Sequence, residues 1–163
     1  MLSVSDPTVS ELLNGRYIAA MATVNPGGLI HMVAVWYWFD GKRIYVTTFS
    51  GTRKARNVQA NPRVSLMVDA RDPADSRGVT ILGNGKMLTG DAARQMTAKI
   101  HAKYLSPAAL ADPAVGPVFS QVDDVVIEIT PESVVYWNMQ HVDQQFFGGA
   151  IGKHPDYLLP TER

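Results

Sequence analysis

Ala34-Val35-Trp36-Tyr37-Trp38-Phe39 is apolar on both sides. In an extended strand, Trp36 and Trp38 point to one face and Val35, Tyr37 and Phe39 to the other. Both faces therefore need cover. One can fill the inside of a barrel. The other needs a second layer, a ligand or a partner subunit. A homodimer is the favoured cover, with the chain's own helices as the alternative.

Working outward, this segment ends a long strand predicted over Leu29–Phe39, which Asp40-Gly41 closes as a hairpin turn. Arg43–Thr48 is the next strand, and Thr52–Ala60 a short helix stopped by Asn61-Pro62. Arg63–Asp69 is again a strand. Upstream, Thr8–Asn14 reads as a helix with Val9, Leu12 and Leu13 on its apolar face. The strand Arg16–Val24 follows it and ends at the turn Asn25-Pro26-Gly27-Gly28. Downstream, a polar loop (70–78) precedes the strand Val79–Leu88, loosened by Gly83 and Gly85. Asp91–Leu105 is a helix carrying Ala93, Met96, Ile100 and Tyr104 at helical spacing. Ser106–Pro117 reads as a loop, and Asp124–Thr130 and Ser133–Asn138 as two strands joined at Pro131-Glu132. Six or seven antiparallel strands with few helices predict a mainly β (α+β) chain, a barrel or a sandwich.

The helix after the third strand carries the chemical signal. Between Gly41 and Val68 lie Lys42, Arg43, Arg53, Lys54, Arg56 and Arg63 and no acid, in a chain with 15 basic and 15 acidic residues. Free N–H groups and the positive end of a helix favour phosphate. Ser50, Thr52, Arg53, Lys54 and Arg56 add hydroxyls and cations. A solvated basic face is the plain alternative. Arg77, in the 70–78 loop, is a further candidate contact to cofactor or substrate.

Composition narrows the classes. The chain of 163 residues is expected to form a single domain, with a core over about 8–138 and a C-terminal tail over 139–163. Neutral net charge gives no general attraction to nucleic acid or an acidic membrane. Absence of cysteine excludes disulfides and thiolate nucleophiles. No apolar run reaches membrane-spanning length, and Met1–Pro7 does not read as a signal peptide, so a cytoplasmic protein is expected. His141 with Asp143 has too few members for a metal site. His31 reads as a half-exposed strand residue, His101 as a surface residue of its helix. No Gly-x-Ser-x-Gly elbow or dinucleotide fingerprint occurs. Base stacking on Trp36–Trp38 is the nucleic-acid alternative, disfavoured by the charge balance.

The ordered set of motifs resembles the pyridoxamine 5′-phosphate oxidase-like family of flavin- and deazaflavin-binding split β-barrels. The resemblance lies in Tyr17–Val24, Pro26-Gly27-Gly28 and the long aromatic strand, then Asp40–Thr48, Gly51-Thr52-Arg53-Lys54-Ala55-Arg56-Asn57-Val58 and Asn61–Ser65. Gly83–Met87 and the helix behind it extend it, so that it covers roughly residues 8–138. It implies a split β-barrel of six to seven antiparallel strands with short flanking helices. It also implies a homodimer with two cofactor sites at the subunit interface and FMN, or alternatively F420, as cofactor. Carried over, Arg53, Lys54 and Arg56 with the hydroxyls of Thr48, Ser50 or Thr52 would hold the phosphate. The ring would lie against Met32–Trp36 and Val46-Thr47-Thr48, and Trp137 would reach toward the partner's site. His141, His154 and Arg163 do not match the family's C-terminal substrate motif, so a broader flavin- or deazaflavin-dependent oxidoreductase of a small organic substrate is expected. No side chain is assigned a catalytic role. The alternative is a non-catalytic FMN- or haem-binding carrier or sensor of the same fold.

Overall fold

Seven strands make one antiparallel sheet in a computed structural model that describes residues 2–70 and 76–158. They are β1 (Ala19–Val24), β2 (Ile30–Val35), β3 (Tyr37–Phe39), β4 (Ile44–Thr48), β5 (Arg63–Ala70), β6 (Arg77–Leu88) and β7 (Val125–Asn138). Their order is β2-β1-β5-β6-β7-β4-β3. The two edge strands are successive in the chain, with only Trp36 between them. The sheet therefore curls until its two edges are held by one extended run, residues 30–39, which gives the split barrel. The positions 71–75 of the expected polar loop and 159–163 of the expected tail lie outside the described residues.

The inward face of that run does what its alternation requires. Val35, Tyr37 and Phe39 are buried with Met21, Ile44, Leu66, Ile81, Ile127 and Ile129. Helix α1 (Pro7–Asn14) adds Val9, Leu12 and Leu13 to the same core. Its N-terminus is capped by Asp6, whose carboxylate accepts from the Thr8 N–H at 3.1 Å. Helix α2 (Arg53–Ala60) contributes Val58.

The outward face corrects an expectation. Trp36 and Trp38 are covered by the chain itself, under helix α3 (Gly90–Tyr104), in a second cluster with Tyr45, Val126, Ile100 and Tyr104. The amphipathic stripe read in the sequence is the missing layer, so this strand alone supplies no argument for a partner subunit. A different part of the sheet is left uncovered. Register aligns Ala34, Ala20, Met67, Thr80 and Val135 in one outward row, and Met32, Ala22, Ser65, Leu82 and Ser133 in the next. Here Met32 is 68% exposed, Val135 56% and Leu82 47%.

Three local expectations also change. β7 is one strand, not two, because Glu132 is accommodated as a bulge: Leu82 pairs with Ser133 and Gly83 with Pro131. The 106–117 loop instead contains helix α4 (Pro107–Ala111) and the start of α5 (Gly116–Val122). The tail forms helices α6 (Met139–Phe147) and α7 (Ala150–Lys153), joined by left-handed Gly148 and Gly149. Asp143 accepts from the N–H groups of Ile151 and Gly152. No helix of the described residues is long and apolar enough to cross a membrane.

Candidate cofactor site

Strand β4 delivers the chain into the basic turn. Thr52 caps α2 by accepting from the Ala55 N–H at 3.4 Å, and its hydroxyl lies 3.1 Å from that of Thr48. Asn57 fixes the helix to the barrel by donating to Thr23 Oγ1 at 3.0 Å, a buried contact. With Ala55, Asn57 and Val58 turned inward, Arg53 and Arg56 are left exposed and Lys54 lies half-buried at the flank. Asn57 belongs to the matched motif, but a buried polar residue inside a short helix is the signal that marks it as an anchor.

Lys54 lines a cleft of about 490 Å³ together with Ile18, Ala34, Val35, Trp36, Thr47, Phe119 and Asp123. The fold thus brings Lys54 of the basic turn and the Ala34–Trp36 stretch of the aromatic strand to one cavity, whose lining does not include Thr48, Ser50, Thr52, Arg53 or Arg56. Burial pushes the Lys54 ammonium below the ordinary lysine range, and the Asp123 charge partly offsets this. The far wall is aromatic. Trp36 stacks on Phe119, also of the lining, with centroids 5.8 Å apart, and is backed at 5.1 Å by Tyr104, which lies outside the lining.

The other predicted residues divide. The Thr47 hydroxyl pairs with Thr97 of α3 at 2.8 Å, and the pair is buried. Val46 points into the barrel core, so its side chain does not reach the cleft. Ser50 is held by Asp124, whose carboxylate accepts from both the Ser50 N–H and Oγ–H at 2.7 Å and is held below its usual range by these bonds. Met32 lies on the exposed sheet face rather than in the cleft. Arg77 donates to Glu11 at 2.9 Å, which ties β6 to α1. Trp137 packs over Gly78, the residue it pairs with across the ladder.

Three participants escaped the sequence reading. Asp123 and Asp124 arrive at the basic turn from far along the chain, so an acid-free stretch of sequence becomes a site with two carboxylates. His101 is not a surface residue. It is 2% exposed, and its Nε2 lies 2.9 Å from Asp123 Oδ2. The signal was present: Ala93, Thr97, Ile100 and His101 share the buried face of α3 at helical spacing. Among the described residues no group of three or more His, Cys, Asp and Glu is placed to hold a metal ion.

Comparison with known proteins bears on the family and the fold. The family model described as pyridoxamine 5′-phosphate oxidase matches residues 5–138. Among solved structures, a conserved hypothetical protein from Mycobacterium tuberculosis aligns at a TM-score of 0.71 and 22% identity, over 87% of this chain and 88% of that one. A protein named F420 reductase aligns at 0.61 and 25% identity, over 77% and 94%. The haem storage protein of Vibrio cholerae shares the fold at 0.61 and 20% identity, over 80% and 92%. With its match spanning most of the sequence and its strands closing on the same barrel, the chain belongs to the pyridoxamine 5′-phosphate oxidase family.

Proposed function

We propose that this protein is a homodimeric oxidoreductase that binds FMN, with F420 as the alternative cofactor, and exchanges a hydride with a small organic substrate. The observation that carries this reading is the joining of Lys54 to the Ala34–Trp36 strand in one cleft. A phosphate is suited to Lys54, with Arg53 and Arg56 nearby on α2 and the Thr48 and Thr52 hydroxyls at the turn. A flat ring system is suited to the apolar strand. Such a cofactor, when bound, supplies the hydride chemistry, and the protein supplies binding, orientation and electrostatics. Asp123 is the one carboxylate in the cleft lining, with its Oδ2 2.9 Å from His101 Nε2, so the anion belongs at the α2 end, by Lys54.

The uncovered rows on β2-β1-β5-β6-β7 support the dimer. Their apolar side chains adjoin Ala34, which lines the cleft, so a second copy laid on this face would also wall the site. Trp137 projects from the same face and would then reach the partner's cofactor. The carrier reading is supported by the fold shared with the haem storage protein. It is weakened by the cleft lining, which contains no His, Met, Cys or Tyr to serve as an axial ligand.

The test is titration of the purified protein with FMN and with F420, followed by tryptophan and cofactor fluorescence. Binding of either at micromolar concentration or better is expected. Lys54→Met should cost about 2–5 kcal/mol of that affinity, the scale of a desolvated charge-assisted contact. Binding of neither cofactor would overturn the reading.

A further inference from the structure

A second pocket lies on the opposite flank of the two tryptophans. It has a volume of about 310 Å³ and is lined by Asn14 of α1, Trp38 and Phe39 of β3, and Lys99, Ala102 and Lys103 of α3. It shares no lining residue with the cofactor cleft, which takes Trp36 where this pocket takes Trp38. No carboxylate lines it, and neither lysine has an ion-pair partner among the described residues.

Lys103 is held inward. Its Nζ stands 4.0 Å over the centroid of the Tyr37 ring and 5.5 Å from that of Tyr104. These aromatic faces attract the ammonium but do not neutralise it. Lys99 sits one helical turn earlier, so two like charges face the same cavity. A half-buried cation without a counter-charge is unfavourable, and burial pushes Lys103 down to about 8. An anion between the two lysines would relieve both effects. The remaining wall is flat and apolar, which suits a ring rather than a bare inorganic ion.

We propose that this pocket is a second ligand site, taking a small planar organic carboxylate with Lys103 and Lys99 as anchors and Trp38 as the stacking wall. The proposal does not depend on the cofactor assignment.

The probes are benzoate, its uncharged analogue benzamide, and inorganic phosphate. Each is titrated into the full-length protein while the three indole N–H resonances are followed by NMR. Benzoate is expected to move the Trp38 resonance more than those of Trp36 and Trp137. It should bind at least tenfold more tightly than benzamide or phosphate. Lys103→Gln should weaken benzoate at least tenfold. If that variant does not fold, Lys99→Gln, at an exposed position, should weaken it several-fold and leaves the Tyr37 contact intact. Equal binding of benzamide and benzoate would overturn the proposal. So would unchanged benzoate affinity in a folded lysine variant, or shifts confined to Trp36. Repeating the titration with FMN present separates the two sites: a benzoate affinity unaffected by FMN is expected, and mutual exclusion would place both ligands in one cleft and sink the second site.

Discussion

Replacing Gly83 by alanine should be one of the costliest single-methyl additions in this barrel. An added Cβ would stand 2.3 Å from the Thr130 carbonyl oxygen and 3.0 Å from its carbon. An ordinary carbon–oxygen contact is about 3.3 Å, so the strands must part by roughly 1 Å. The obstacle is backbone, and Thr130 is fixed by its pairing with Asn84 next to the bulge. Overpacking costs about 1–3 kcal/mol. Loosening a ladder hydrogen bond adds about 1 kcal/mol. The stiffer unfolded chain returns only about 0.5 kcal/mol. A net loss of about 1.5–3.5 kcal/mol follows, a fall in Tm on the order of 3–14 °C for a chain of this size. Gly78→Ala makes the comparison sharp. There the Cβ meets the Trp137 ring at 2.5 Å, but that side chain is half-exposed and can swing, so about 1 kcal/mol is expected. Gly27→Ala meets only Asn25 Oδ1 at 3.5 Å and should change stability by less than about 0.5 kcal/mol. Urea and thermal unfolding at one fixed protein concentration rank the three. A Gly83→Ala protein within about 1 kcal/mol of wild type, or less affected than Gly78→Ala, would refute the reasoning.

Other outcomes follow from the site and its surroundings. Thr97→Val should lose about 1–2 kcal/mol by leaving the buried Thr47 hydroxyl unpaired, and adding Thr47→Val should recover part of that, as a double-mutant cycle in urea can measure. Lys103 should titrate near 8, read from the NMR shift of its reductively ¹³C-methylated amine. Its folded value lies below its unfolded one, so the unfolded state holds more protons between about 8 and 10.5. Stability should therefore rise with pH across that window, and Lys103→Met should remove this part of the rise. Leu82→Glu places a charge on the uncovered sheet face and should shift the protein toward monomer in sedimentation velocity, with weaker cofactor binding. A dimer unchanged by it would move the interface elsewhere.

The barrel was legible because its signals are local. Alternation in Ala34–Phe39, the turns at Asn25–Gly28 and Asp40-Gly41, and the helix stop at Asn61-Pro62 each act within a few residues. The cleft was half legible for the same reason: Lys54 and the aromatic strand are close in sequence. What the reading missed depends on distant partners. Nothing near Ser50 announces Asp124, and only the fold brings Asp123 to Lys54 and His101. The broken reading of β7 came from taking Pro131 as a strand end, whereas a bulge lets the proline pass. The cover over Trp36 is not local either: the α3 stripe and the aromatic strand are both visible in the sequence, but only the fold packs one on the other.

The shared edge run has a kinetic meaning as well. Pairings β1–β2 and β3–β4 join residues close in sequence, so both hairpins of 19–48 can form early. Closure waits for β4 to find β7, where Ile44 meets Ile129 and Thr48 meets Val125. Loop entropy for contacts so far apart is paid before any packing rewards it, which makes such a step slow. The seam should then be the last part to zip and the first to open. Weakening it, for example by Ile129→Val, should speed unfolding while leaving the folding rate nearly unchanged.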